Sequence, residues 1–297
     1  MSTAHSSTIT VEDGVISGPF RSSVNNSINV KGSIHDDATA TKLGFRGGTV
    51  AGSIHMELFP PLLLEAFGPH WFERGTLSMY FRNATTDREP VRASMKQPGA
   101  RGEANGDPQV EVWVDRDDGM RVAEGTASVG NSAEPTALLA RPLDRFEPGE
   151  LRMLKGIGEG YEFPRVDVRL DPEAQEKRMQ VITEKLDWYE GKSPWGGPIA
   201  TPAAMVQLLY AKSVAGMRGN VGKAVGLFGA IELRNVNGPV FVDEPYDVTG
   251  HVVAVGQSPK TEYMWFETGM DDSSGKRVAE MRMLLRWMKA SSPLYAE

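Results

Sequence analysis

The feature that most constrains this chain is that it repeats itself. The run from Phe45 to Ala51, built on Gly47-Gly48, returns as Trp195 to Ala200, built on Gly196-Gly197, at an offset of 149. Tyr80-Phe81-Arg82-Asn83-Ala84 resembles Glu232-Leu233-Arg234-Asn235-Val236 at an offset of 152. Asp87 to Val91 resembles Val242 to Tyr246 at 155, and Gly119 to Glu124 resembles Gly275 to Glu280 at 156. Four matches in one order, drifting only by small insertions, point to a duplication. A chain of 297 residues is also a natural length for two ordinary domains. The repeat divides it into a first unit, residues 1–150, that ends in a linker, and a second, residues 151–297.

Each unit carries the same coarse pattern. A Gly-Gly turn leads into a helix. In the second unit Thr201 suits the cap, Pro202 the first helical position, and an apolar run follows from Ala203 to Val214. In the first unit the helix begins near Gly52 and runs toward Leu64. Pro60-Pro61 must kink or interrupt it, because proline removes a backbone donor and clashes with the preceding turn. Strands come next. Val110, Val112 and Val114 alternate with Glu111 and Trp113, the period of a strand with two unlike faces. Asp117-Asp118-Gly119 is a hairpin turn that delivers the chain into residues 121–129. The second unit repeats this with strands over 263–268 and 277–288 and a turn over 272–275. Arg82 and Arg234 are expected to open matching strands. A helix followed by antiparallel strands is an α+β pattern, without the βα alternation of a dinucleotide fold. Residues 131–160, rich in Pro, Gly and charge, read as a crossing linker with short helices near Glu150 to Leu154.

Composition narrows the function. The chain has no cysteine, which excludes disulfides, thiolate catalysis and Cys-ligated metal sites. A net charge of −7 argues against a nucleic-acid coat. No stretch is long and apolar enough to span a bilayer. Met1 to Thr10 is Ser/Thr-rich, lacks the basic and apolar regions of a signal peptide, and is expected to fray. The expectation is a cytoplasmic protein acting on a small molecule.

The stretch from His35-Asp36-Asp37-Ala38 through Gly44-Phe45-Arg46-Gly47-Gly48-Thr49-Val50-Ala51-Gly52 resembles the hydratase motif of MaoC-like, R-specific enoyl-CoA hydratase-like double-hotdog proteins. Leu186 to Tyr189 and Ser193 to Ala200 resemble the weaker form of that motif in degenerate halves. The resemblance covers the chain from about Val11. It implies a tandem double hotdog, each half an antiparallel sheet wrapped round a central helix, acting as a hydro-lyase on an acyl compound. Coenzyme A enters only as part of such a substrate, and no further cofactor is implied. In that family an Asp and a His five residues apart activate water, and a backbone N–H at the helix start holds the enolate oxygen. Carried over, the His is His35, and the oxyanion donor is the backbone of Gly52 or Ser53. The Asp position is Val30 and the helix-start His position is Ala51, so the two-residue mechanism does not transfer intact. Asp36 or Asp37 is the substitute at hand, and Asp37 is carried as the second catalytic candidate.

His35 is set against a loop histidine inherited from an active ancestor. His55, in the first turns of the helix, is expected to reach the same pocket, against a plain buried histidine. Arg82 is a candidate for a coenzyme A phosphate. Its recurrence as Arg234 equally suits a structural ion pair. Glu57 resembles the helix carboxylate of hotdog thioesterases, at the wrong spacing. His251 reads as a strand residue without a site role, and five histidines without paired spacing give no zinc signal and no metal site. Three functions follow: a hydratase or dehydratase using His35, a thioesterase using Glu57, and an acyl-binding pocket without turnover, which Val30 and Ala51 favour. Two fused units can cover each other's exposed sheet edge, as a pseudo-dimeric monomer or within a homodimer.

Overall fold

In the computed structural model the described residues are 9–99, 107–143, 149–215, 217, 221 and 224–296. The first half contains β1 (Thr10–Glu12), β2 (Val15–Ser17) and β3 (Arg21–Ser22). The helices α1 (Asp37–Lys42), α2 (Gly52–Met56), α3 (Pro60–Phe67) and α4 (His70–Arg74) follow. Strands β4 (Gly75–Phe81), β5 (Pro90–Lys96), β6 (Gln109–Arg116) and β7 (Arg121–Val129) complete it. The second half contains β8 (Glu162–Arg169), α5 (Pro172–Met179), α6 (Pro202–Ala215), β9 (Gly226–Asn235), β10 (Pro245–Gln257), β11 (Thr261–Asp272) and β12 (Arg277–Met288). Most of the Ser/Thr-rich start, expected to fray, lies outside the described residues.

All strands join one antiparallel sheet in the order β1-β2-β5-β6-β7-β4-β9-β12-β11-β10-β8, with β3 beside β5. The seam is β4 against β9, paired from Thr76 with Arg234 to Tyr80 with Ala230. Each half thus closes the other's open edge with main-chain hydrogen bonds, which an isolated half would leave unpaired.

The apolar run of the second half forms α6, an unbroken helix packed on β8 and β10–β12, and Thr201 Oγ1 accepts the Ala204 amide at 3.3 Å. The corresponding helix of the first half is split into α2 and α3, because Pro60 and Pro61 open a new first turn where their missing amides cost nothing. One continuous core runs through both halves, from Leu62, Leu77 and Met95 to Met264, Phe266 and Met283.

The duplication is visible in detail. Arg116 N–H donates to Met120 and Asp272 N–H to Lys276, closing turns in which Gly119 and Gly275 both hold φ 82, the left-handed region glycine tolerates. Arg121 Nε donates to Asp115 at 2.6 Å, and Arg277 Nε to Asp271 at 2.5 Å.

The 82/234 match, however, is slipped by two residues. Asn83 Nδ2 donates to the Arg121 carbonyl and Asn237 Nδ2 to the Arg277 carbonyl, each at 2.8 Å, so Asn83 corresponds to Asn237. Arg82 and Arg234 therefore lie at the ends of their strands, not the beginnings, and Arg234 takes the register position of Tyr80.

The described residues 131–143 of the expected linker lie over the outer sheet face at the seam. Leu138 is fully buried with Ala230, Tyr263, Trp265 and Leu284; its amide donates to Ser78 Oγ at 3.1 Å, and Thr136 donates to Glu232. The short helices expected near Glu150 to Leu154 are turns instead. The amides of Arg152, Met153 and Leu154 all point at the buried Glu262 carboxylate, at 2.7–3.0 Å, so a charged acceptor replaces the helical carbonyls.

Candidate active site

Pairing between β4 and β9 stops at Tyr80 and Ala230, and the strands part beyond it. The opening holds a cavity of about 430 Å³. His35, Ala51, Gly52 and His55 line its first-half side, Phe81 to Thr85 its rim, and Gly226 to Gly229 with Arg286 its second-half side.

His35 precedes α1 on a loop that the sequence folds tightly. Asp36 caps α1, its carboxylate accepting the Thr39 amide at 3.1 Å. Asn25 Nδ2 donates to the His35 carbonyl at 2.8 Å, and Gly48 lies so close that a Cβ there would overlap that carbonyl oxygen. His35 Nδ1 is 2.6 Å from the Thr49 carbonyl oxygen. A carbonyl only accepts, so Nδ1 carries a proton, and Nε2 bonds to no atom of the described residues.

His55 is buried on α2, with Nε2 2.9 Å from Thr85 Oγ1 and Nδ1 without a partner. Burial pushes its pKa down to about 4, so the ring is neutral at ordinary pH. At the entrance to α2, Ala51 offers no side-chain cap, and the Gly52 amide opens the helix beside the histidines.

Other expected site residues fall elsewhere. Asp37 does not line the cavity; its Oδ1 accepts the Gly48 amide at 2.7 Å and ties the histidine loop to the Gly-Gly turn. Ser53 is buried on α2 and does not line the cavity either. Val30 is 55 % exposed on a turn off the cavity, and no Asp or Glu is among the lining residues. Arg82 reaches the rim, where its guanidinium pairs with Glu124.

Glu57 is turned away. It crosses to the second half, where its carboxylate accepts the Ala203 amide at 2.8 Å, capping the start of α6. Burial, opposed by hydrogen bonding at Thr201 and Ala203 and by the Arg178 charge, raises its pKa to about 7. Glu57 is not among the residues that line the cavity. His251, as expected, stands on β10 beside Glu267 at 3.8 Å, away from this cavity.

Thr85, Asn25 and the second-half wall were not foreseen. Thr85 lies two residues past Asn83, whose counterpart is Asn237, so the letter-by-letter repeat gave it no signal. The wall had none, because its meeting with α2 depends on the β4–β9 pairing. A larger groove of about 780 Å³ lies over the outer face of the second half, but its arginines are already neutralised, Arg234 by Glu280 and Arg282 by Glu267.

No family model matches the chain, and no curated protein matches it in sequence. Solved structures do share its fold. A MaoC domain protein assigned as a dehydratase, from Chloroflexus aurantiacus, superposes with a TM-score of 0.61 at 11% identity, over 95% of this chain and 94% of that one. A conserved hypothetical protein of Mycobacterium tuberculosis with a double hotdog fold gives 0.58 at 10% identity, over 94% and 97%. A MaoC-like dehydratase gives 0.54 at 13% identity, over 95% and 98%. In these three the likeness spans both halves, and the fold of this protein is a double hotdog whose structural neighbours include MaoC-like dehydratases.

Proposed function

We propose that the protein adds or removes water at an α,β-unsaturated or β-hydroxy acyl compound, a thioester in the first instance, in the cavity beside α2. The observation that carries this reading is the fixed ring of His35, its Nδ1 on the Thr49 carbonyl and its Nε2 free. In the hydration direction Nε2 takes a proton from water, the oxygen bonds to Cβ of the acyl group, and the electron pair moves toward the carbonyl oxygen. We assign the Gly52 amide, at the entrance to α2 and on the cavity lining, as the donor to that oxygen. The imidazolium then returns its proton to Cα. Neutral His55 cannot serve as a strong acid, and its unpartnered Nδ1 suits it to orient the water or the substrate. One histidine thus does the work shared elsewhere by two groups, consistent with Val30 standing where no acid is supplied.

The second reading is an acyl-binding protein without turnover, and the absence of any carboxylate from the cavity lining favours it. Mass-spectrometric turnover of a panel of enoyl and β-hydroxyacyl thioesters separates the two. Gain or loss of water that drops roughly 10²–10⁴-fold in His35→Ala is the expected result. Retained ligand with no water exchange gives the binding reading; hydrolysis to a free acid overturns both.

A further inference from the structure

The cavity continues beyond the histidines to Arg286. Residues 280, 282, 284 and 286 of β12 alternate with core residues and face the outer side of the sheet, and Arg286 lines both the cavity and the small recess beneath Tyr263, Trp265 and Leu284. The arginine of the cavity rim and those of the second half's strands are neutralised: Arg82 by Glu124, Arg165 by Asp247, Arg169 by Asp243, Arg234 by Glu280, Arg277 by Asp271, Arg282 by Glu267. Arg286 is the exception among these. Its guanidinium forms no hydrogen bond or ion pair among the described residues and lies 5.6 Å from the centre of the Tyr263 ring.

The backbone makes room for it. The register of β9 against β12 slips between Leu284 and Leu285, which leaves Gly229 as the extra residue. A Cβ at Gly229 would stand 2.8 Å from Arg286 Nε and 2.8 Å from Leu284 Cδ2. Five donors on a fixed fork, half-buried at the end of a cavity and unspent on the protein, match a bidentate anion.

We infer that Arg286 binds a second, anionic group of the cavity's ligand, a carboxylate or a phosphate. The inference rests on the cavity being the acyl-compound site and deepens it. The substrate carries a negative charge either on the far end of its acyl chain or on a phosphorylated thiol carrier.

The test uses saturated thioesters that cannot exchange water, titrated calorimetrically into the full chain. Butyryl-pantetheine is the neutral reference, succinyl-pantetheine adds only a carboxylate, and butyryl-coenzyme A adds the phosphates. In wild type one charged probe binds roughly tenfold or more tighter than the reference, as a charge-assisted bidentate bond would give. Arg286→Gln abolishes that preference while still binding the neutral probe, Arg286→Lys keeps part of it, and Gly229→Ala lowers it by displacing the guanidinium. A preference in the succinyl arm places the charge on the acyl chain; one in the coenzyme arm places it on the carrier. No preference in either arm, or one that survives Arg286→Gln, overturns the inference. Because nothing is turned over, the result stands apart from success or failure of the hydratase reading, which the enoyl panel decides.

Discussion

Glu57 and Ala203, 146 residues apart, are joined by a 2.8 Å hydrogen bond from the Ala203 amide to the Glu57 carboxylate, so a side chain of the first half caps the central helix of the second. The start of α6 is thereby spent on the protein, whereas the start of α2 opens into the cavity. Two residues of one segment face opposite ways, His55 the cavity and Glu57 the start of α6.

These two residues make opposite contributions to stability against pH. Glu57 has its folded pKa raised from 4.5 to about 7, so the folded state holds a proton that the unfolded state releases, and stability is lost as pH rises from 4.5 through 7. His55 has its folded pKa lowered from 6.5 to about 4, so stability is lost as pH falls from 6.5 through 4. In wild type the slopes oppose each other between pH 4.5 and 6.5. Urea denaturation across pH 4–8 is expected to show Glu57→Gln gaining on wild type as pH rises, by up to about 3 kcal/mol above pH 7. His55→Gln gains on wild type as pH falls below 6.5. Parallel curves for either variant and wild type would contradict this assignment.

Asp37 ties the His35 loop to the Gly-Gly turn. Asp37→Ala removes the 2.7 Å acceptor of the Gly48 amide and is expected to cost about 1–3 kcal/mol in chemical denaturation. Asp37→Asn keeps an acceptor oxygen and is expected to retain most turnover. A loss in Asp37→Asn as deep as that of His35→Ala would return Asp37 to the chemistry.

Gly48→Ala sets a Cβ against the His35 carbonyl, a backbone contact that no rotamer change relieves. The His35 loop must shift, and the ring with it. Turnover is expected to fall by 10-fold or more, roughly the effect of misplacing a catalytic group by an ångström. Unchanged kcat with an unchanged melting temperature would show that the loop tolerates the shift.

Arg82 and Glu124 form an exposed pair, with side chains 49% and 31% accessible. Arg82→Ala is expected to leave the denaturation midpoint close to that of wild type, because an exposed pair contributes little. A rise in KM confined to phosphate-bearing thioesters would give Arg82 a part in binding the carrier; a uniform KM would leave it a strand-end ion pair.

Much of this architecture was legible in the sequence because it is local. Pro60-Pro61 announce the split between α2 and α3, the Asp-Gly and Ser-Gly turns announce the hairpins, and the valines at 110, 112 and 114 alternate as the strand requires. Local likeness also misled: Arg82-Asn83 matched Arg234-Asn235 by letter, while the hydrogen bonds pair Asn83 with Asn237. His35 and His55 share a cavity, as the motif suggested, but Asp37 and Ser53 do not join them. The second-half wall was beyond reach, since Arg286 lies some 250 residues from His35 in the chain and only the β4–β9 seam brings both to one opening.

That seam has an evolutionary corollary. When identical subunits meet at such a seam, every substitution in one gene alters both cavities at once, so a change that improves a wall also changes the machinery opposite. Within a single polypeptide the two sides mutate separately. Gly229 and Arg286 change on one side, and Glu57 on the other, without either change being copied into a second cavity.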